Sequence, residues 1–152
     1  MHDKTLIELM KPYVHKVNYY ECDRMGVTHH SNYVRFMEEA RIDMQEQLGY
    51  GYERMEAEGI VSPVVSIELD YKHTTTFPDE IEIKLSLVEM SALKLTFAYE
   101  MRCGGALVCK ARSTHCFLEG GRPVVFAERY PEFTRRLVEE AGTASLKESL
   151  QK

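Results

Sequence analysis

The strongest constraint on how this chain can fold is a change of period. From Asn32 to Leu48 the apolar residues Tyr33, Phe36, Met37, Ala40, Met44 and Leu48 fall at i, i+3, i+4, i+7, i+11 and i+15, one stripe of an amphipathic helix about four turns long. From Val65 onward the apolar residues alternate instead. Val65, Ile67, Leu69 and Tyr71 oppose Ser66, Glu68, Asp70 and Lys72. Ile81, Ile83, Leu85 and Leu87 oppose Glu80, Glu82, Lys84 and Ser86, and Leu93, Leu95, Phe97, Tyr99 and Met101 oppose Lys94, Thr96, Ala98, Glu100 and Arg102. Runs of period two with one wetter face indicate antiparallel strands. One long helix followed by a meander of long strands implies an α+β fold, an antiparallel sheet curled around a single central helix.

The punctuation agrees. Ser31 or Asn32 can cap the helix by accepting from an early backbone N–H, and Gly49 suits its C-terminal stop. His15 to Glu21 reads as a strand before it, and Tyr52 to Glu58 as a short helix after it. The last long strand, about Leu107 to Leu118, follows Gly104-Gly105. A two-residue turn there would set Arg112 and Lys110 opposite Phe97 and Tyr99, whereas a three-residue loop pairs those aromatics with Ser113 and Ala111. The second register keeps charge off the apolar face and is the one expected. It also places Met101, not Cys103, opposite Cys109, which disfavours a hairpin disulfide. Pro131 to Ala141 reads as a final amphipathic helix ending near Gly142. Residues 1–142 are expected to form one domain, with a polar tail over 143–152 that frays. A single sheet covering one helix leaves a sheet face and an edge to hide, so a homodimer with a continuous sheet is expected, and a dimer of dimers beyond it.

Composition narrows the function classes. With 152 residues the chain suits one core. Its net charge of -5, from 24 acidic and 19 basic residues without a basic block, gives no broad field for nucleic acid. The first residues, MHDKTLIELMKPYV, are charged early and hold no apolar run of leader or membrane-span length, so a soluble, cytoplasmic protein is expected. Cys22, Cys103, Cys109 and Cys116 lack the spacing of a disulfide scaffold and are expected to be free thiols.

The segment between the first strand and the helix carries the chemistry. It reads Tyr20-x-Cys22-Asp23-x-x-Gly26-Val27-x-x-His30-x-Asn32-Tyr33, then Phe36-x-Glu38-x-Ala40-Arg41. Taken alone, Asp23 to Gly26 is an ordinary turn, because Asp and Gly populate turns everywhere. A zinc cluster is a poor fit: His29 and His30 are adjacent rather than on one helical face, and His73 and His115 sit on other elements, so no metal is assigned. Cys22 is a strand-end thiol before it is a nucleophile. Glu38 lies eight residues past His30 and points inward from the second turn beyond the cap, either as a pocket acid or paired with Arg41 at i+3. Thr74, Thr75 and Thr76 form a polar loop before Pro78-Asp79.

This string resembles the hotdog-fold acyl-CoA thioesterases of the 4-hydroxybenzoyl-CoA thioesterase and YbgC type, from about Val14 to Phe133, and the IELDYKHTTTFPDEIEI and KARSTHCFLEGGRPV segments are similar too. The resemblance implies that Asp23 is the catalytic carboxylate, as nucleophile or as base for water. It also implies that the His30 backbone N–H donates to the thioester oxygen at the start of the helix. Unpaired N–H groups and a positive dipole end there suit a developing oxyanion. Gly26 would permit the bend and close approach of substrate. Met25, Gly26, Val27, Tyr33, Glu38 and the three threonines are the expected substrate contacts. Met25 stands where many relatives have a second glycine and should reshape the acyl pocket, so the acyl group does not carry over; Glu21 keeps the acid that relatives have there, longer by a methylene. For the phosphates of CoA the candidates are Lys72, Lys110, Arg112 and Arg122. No metal or organic cofactor is implied.

Three functions follow. The first is hydrolysis of an acyl-CoA thioester to free acid and CoA. The second is dehydration or hydration of a 3-hydroxyacyl thioester, with His30 as base and Glu38 as acid. The third is a non-catalytic acyl-CoA-binding dimer.

Overall fold

The structure, a computed structural model, describes residues 10–151. The first nine residues, on which much of the reading of the N-terminal segment rests, lie outside that range. Strand β1 (Tyr13–Lys16) leads to the central helix α1 (Asn32–Gln47) and the short helix α2 (Tyr52–Ala57). The strands follow in order: β2 (Ile60–Val61), β3 (Val64–Tyr71), β4 (Glu80–Met90), β5 (Lys94–Cys103), β6 (Ala106–Cys116), β7 (Leu118–Glu119) and β8 (Arg122–Pro123). Helices α3 (Phe126–Arg129), α4 (Pro131–Ala141) and α5 (Ala144–Leu150) close the described chain.

Five strands form one antiparallel sheet in the order β1-β4-β5-β6-β3, and β2-β7-β8 form a small second sheet. The helical stripe is the core: Tyr33, Phe36, Met37, Ala40, Met44 and Leu48 are all buried, against Ile81, Ile83 and Leu87 of β4 and Leu95, Phe97 and Tyr99 of β5. Gly49 ends α1 at φ +80, a conformation open to glycine at no steric cost.

The β5–β6 register is the expected one by a different route. Phe97 pairs with Ser113, Tyr99 with Ala111 and Met101 with Cys109. Yet Cys103 pairs with Ala106 across a two-residue Gly104-Gly105 turn, and the shift comes from a bulge that leaves Val108 out of the ladder. Both turn glycines have positive φ, which the tight hairpin turn requires. The extra residue flips the strand's faces, so Lys110 and Arg112 turn outward. The four cysteines are free.

Two local expectations are corrected. The first strand stops at Lys16, and Tyr19–Glu21 is a single 3-10 turn that leaves Tyr19 and Tyr20 exposed. The turn wins because the Glu21 carboxylate accepts the Asn18 N–H at 2.7 Å and meets buried His15 Nε2 at 2.9 Å. The tail does not fray over its described part. Thr143 caps α5 by accepting the Leu146 N–H at 3.2 Å, its own N–H donates to Leu87 O at 3.1 Å, and Leu146 is buried. A cap and one inserted leucine outweigh a polar composition.

Candidate active site

The loop from Cys22 to Thr28 is closed by an isolated antiparallel bridge between those two residues. Inside it, Asp23 N–H donates to Val27 O at 2.9 Å and Gly26 N–H to Asp23 O at 3.0 Å. One carboxylate oxygen of Asp23 accepts the Met25 N–H at 2.8 Å. That bond is the local Asx-type turn open to any aspartate, and it also fixes the direction of the carboxyl group. Gly26 has φ +78, so a side chain there would be strained even though nothing crowds the position.

The loop is fastened from behind. Thr28 N–H donates to Thr75 O at 2.8 Å, and the buried Thr75 hydroxyl lies 2.7 Å from the Thr28 hydroxyl and 2.8 Å from the Tyr33 hydroxyl. Thr76 Oγ1 donates to Gly26 O at 2.7 Å, and Asp79 accepts the Thr76 N–H at 3.0 Å. Thr75 and Tyr33 therefore serve as a clasp between the two loops. Thr74 and Thr76 stay exposed.

The helix begins four residues after the bridge, at Asn32. His29 N–H donates to Glu21 O at 2.8 Å, and the buried Asn32 side chain donates to the same carbonyl at 2.9 Å. Ser31, at the cap position, makes no capping bond to the helix; its hydroxyl meets His29 Nδ1 at 2.8 Å. Tyr71 OH donates to His30 O at 3.0 Å. Among the described residues, the His30 backbone N–H has no acceptor. The His30 ring is exposed and stacks on His29 with centroids 4.3 Å apart.

The remaining expected contacts divide. Val27 is half-buried in the loop, while Met25 stands 79% exposed beside it. Glu38 does not point inward: it is exposed, and Arg41 instead donates to Tyr99 OH at 3.0 Å. Phe36 and Met37 take the inward positions of that helical turn, which rotates Glu38 outward. Glu38 borders the open side of a cavity that none of the Asp23-loop residues lines. Lys72, Lys110 and Arg112 share a shallow hollow on the outer sheet face, interleaved with Glu68, Asp70 and Glu100, and Lys72 pairs with Asp70 at 3.1 Å. Arg122 lies apart on the β7–β8 hairpin. Tyr71, which orients the His30 carbonyl, was not singled out by sequence; its signal was its place at the strand end just before the threonine run.

The sequence pattern of the thioesterase-like superfamily matches residues 17–137. A Bacillus subtilis protein, YneP, provisionally named an acyl-CoA thioesterase, is 31% identical over 78% of this chain and 88% of its own. Among solved structures, a hypothetical protein from Thermus thermophilus superposes with TM-score 0.78 at 34% identity, over 84% of this chain and 97% of that one. The DHNA-CoA thioesterase of Staphylococcus aureus superposes with TM-score 0.79 at 27% identity, over 83% and 87%. The α+β sheet around one long helix is thus the hotdog arrangement of these proteins.

Proposed function

This chain belongs to the thioesterase-like superfamily, and from that premise we propose that it hydrolyses an acyl-CoA thioester to the free acid and CoA at the Asp23–His30 turn. The assignment is supported by an unspent donor and an oriented carboxylate seven residues apart in the same segment: the His30 N–H lacks an acceptor at the mouth of α1, and Asp23 is aimed by its bond from Met25. A thioester oxygen accepting the His30 N–H would sit at the positive end of the helix dipole, where developing negative charge is stabilised without reorganisation.

Asp23 then acts in one of two ways. As nucleophile it bonds to the carbonyl carbon, the C–S bond breaks, CoA leaves as thiol after taking a proton, and water cleaves the mixed anhydride. As general base it takes a proton from water, whose oxygen attacks the same carbon; the C–S bond then breaks and CoA leaves as thiol on taking up that proton, which yields the free acid. Met25, exposed beside the carboxylate, would flank the acyl group. The likeness to YneP and to the Staphylococcus aureus DHNA-CoA thioesterase supports a CoA thioester as the substrate class.

A second copy of the chain completes the reading. Strand β3 is a sheet edge whose Val64, Val65 and Tyr71 are about half exposed, the kind of edge that pairs with its twin. Tyr71 also touches His30, so a β3-paired homodimer, alone or as a dimer of dimers, would border the site.

Thiol release from short-chain, long-chain and aromatic acyl-CoAs tests the proposal. Asp23→Asn should lower kcat/KM on the best substrate by at least about a hundredfold with the fold intact; full activity in a folded variant refutes the assignment. Binding without thiol release would mark an acyl-CoA-binding dimer, and crotonyl-CoA hydration that survives Asp23→Ala would mark a hydratase.

A further inference from the structure

Away from the Asp23 loop, a partly open cavity of about 250 Å³ lies between α1, α2, the inward face of β5 and β6, and helices α3 and α4. Its wall is mostly apolar, with Met44, Met55, Phe97, Phe117, Phe133 and Leu137 in contact with the space. Arg41 and His115 interrupt that wall. Among the described residues no carboxylate lies within 4 Å of the Arg41 guanidinium. Glu38 and Glu56 border the cavity, and both are exposed.

A hydrogen-bond chain fixes what these two groups offer. Arg41 Nη1, which can only donate, bonds Tyr99 OH at 3.0 Å; Tyr99 OH lies 2.6 Å from Ser113 Oγ, and Ser113 Oγ lies 2.7 Å from His115 Nε2. Tyr99 is buried, and Ser113 Oγ is the acceptor available to its proton among the described residues. Tyr99 therefore donates to Ser113, Ser113 donates to His115 Nε2, and the neutral imidazole carries its proton on Nδ1. The reverse polarity would strand a buried phenol proton, at a cost comparable to a lost hydrogen bond. His115 Nδ1 has no partner among the described residues, and burial, reinforced by Arg41, keeps the ring neutral by holding its pKa down to about 4. The cavity thus presents two donors, one of them cationic, with no carboxylate within 4 Å of the Arg41 guanidinium and no bond to His115 Nδ1 among the described residues.

We propose that this cavity binds a small carboxylic acid with an aryl or medium-chain alkyl body, its carboxylate accepting from Arg41 and from the Nδ1–H of His115. An apolar cavity of about 150 Å³ holds benzene, so this one has room for one ring or about an eight-carbon chain together with the acid group. The paired donors select a carboxylate over a neutral amide, because bonds to an ionised acceptor are roughly twice as strong as neutral ones. The site is separate from Asp23 and does not depend on the hydrolysis proposed above.

Titration calorimetry of the full chain with benzoate, octanoate and the matching carboxamides tests it. At least one acid should bind, with its amide about tenfold or more weaker. Arg41→Gln should weaken the acid about ten- to a hundredfold, His115→Phe should weaken it several-fold, and Asp23→Asn should leave it within twofold. No acid binding at millimolar concentration, equal binding of acid and amide, or loss of binding in Asp23→Asn overturns the proposal. If Arg41→Gln fails to fold, the acid–amide comparison on the unmodified chain still decides. Thiol release is measured independently, so an inactive Asp23 site and an empty cavity are distinguishable results.

Discussion

The Asp23 loop and the Arg41–His115 cavity are both polar places on an otherwise apolar helix-and-sheet frame, and they are polar in opposite ways. The loop is built of main-chain bonds at the surface. Its fold consumes backbone groups, while the Asp23 carboxylate and the His30 N–H keep capacity for a ligand. The cavity is built of side chains in the interior. Tyr99 and Ser113 spend their hydroxyls on their neighbours in the chain, while Arg41 keeps most of its N–H donors and His115 its Nδ1, and both residues line the cavity. A surface site can lose its reactive group at little cost to folding. A buried chain cannot, because each member removed strands its neighbour.

Substitutions sharpen or break that contrast. The largest effect is on chemistry: Asp23→Ala should cost about two to four orders of magnitude in turnover, while its melting temperature moves by only a few degrees, because the side chain is half-exposed and makes one bond. A large loss of stability in that variant would erase the distinction.

Next is the pH response of the cavity. The folded-state pKa of His115 is lowered to about 4, so between roughly pH 6.5 and 4 the unfolded chain binds the proton and the folded chain does not. Stability is then complete above about 6.5 and falls as the pH drops through this window, by about 3 kcal/mol for a shift of this size. Chemical denaturation of the protein beside His115→Phe at pH 7 and pH 4.5 should show a clearly flatter profile in the variant; parallel profiles would mean that His115 is not the group responsible.

Thr75→Val should destabilise by about 1–3 kcal/mol, since it leaves buried hydroxyls of Thr28 and Tyr33 without their shared partner. Turnover should fall along with stability in thiol-release assays, because the clasp holds the loop. The smallest effect is Gly26→Ala, about 1–2 kcal/mol of strain at φ +78, measured by thermal melting.

Much of this was legible in the sequence, and the exceptions share a cause. The helical stripe reads directly as the buried face of α1, because a period of 3.6 residues leaves no alternative set to bury. The β5–β6 register followed from keeping Lys110 and Arg112 off the apolar face, although the chain reaches it with a two-residue turn and a bulge at Val108. Polarity constrains which residues face each other and is silent on which local device brings them there. The turn at Asp23 to Gly26 was legible because it is contiguous and its geometry is set by near-neighbour backbone bonds. The Glu38–Arg41 pair fails for the opposite reason: i+3 spacing suggested it, but Tyr99, fifty-eight residues from Arg41, offered its hydroxyl from the sheet, while Glu38 stands at the cavity's edge.

By itself, then, the sequence determined the long helix and the long strands, the buried stripe and the turn at Asp23–Gly26 ahead of the helix. Each of these is fixed by spacing within one segment. The tertiary structure alone decided that Thr75 clasps the loop, that Tyr71 orients the His30 carbonyl, and that Arg41, Tyr99, Ser113 and His115 form one chain on a cavity wall. Those contacts join side chains from separate elements. Their polarity depends on which partners remain once the core has closed around them, and no local pattern encodes that.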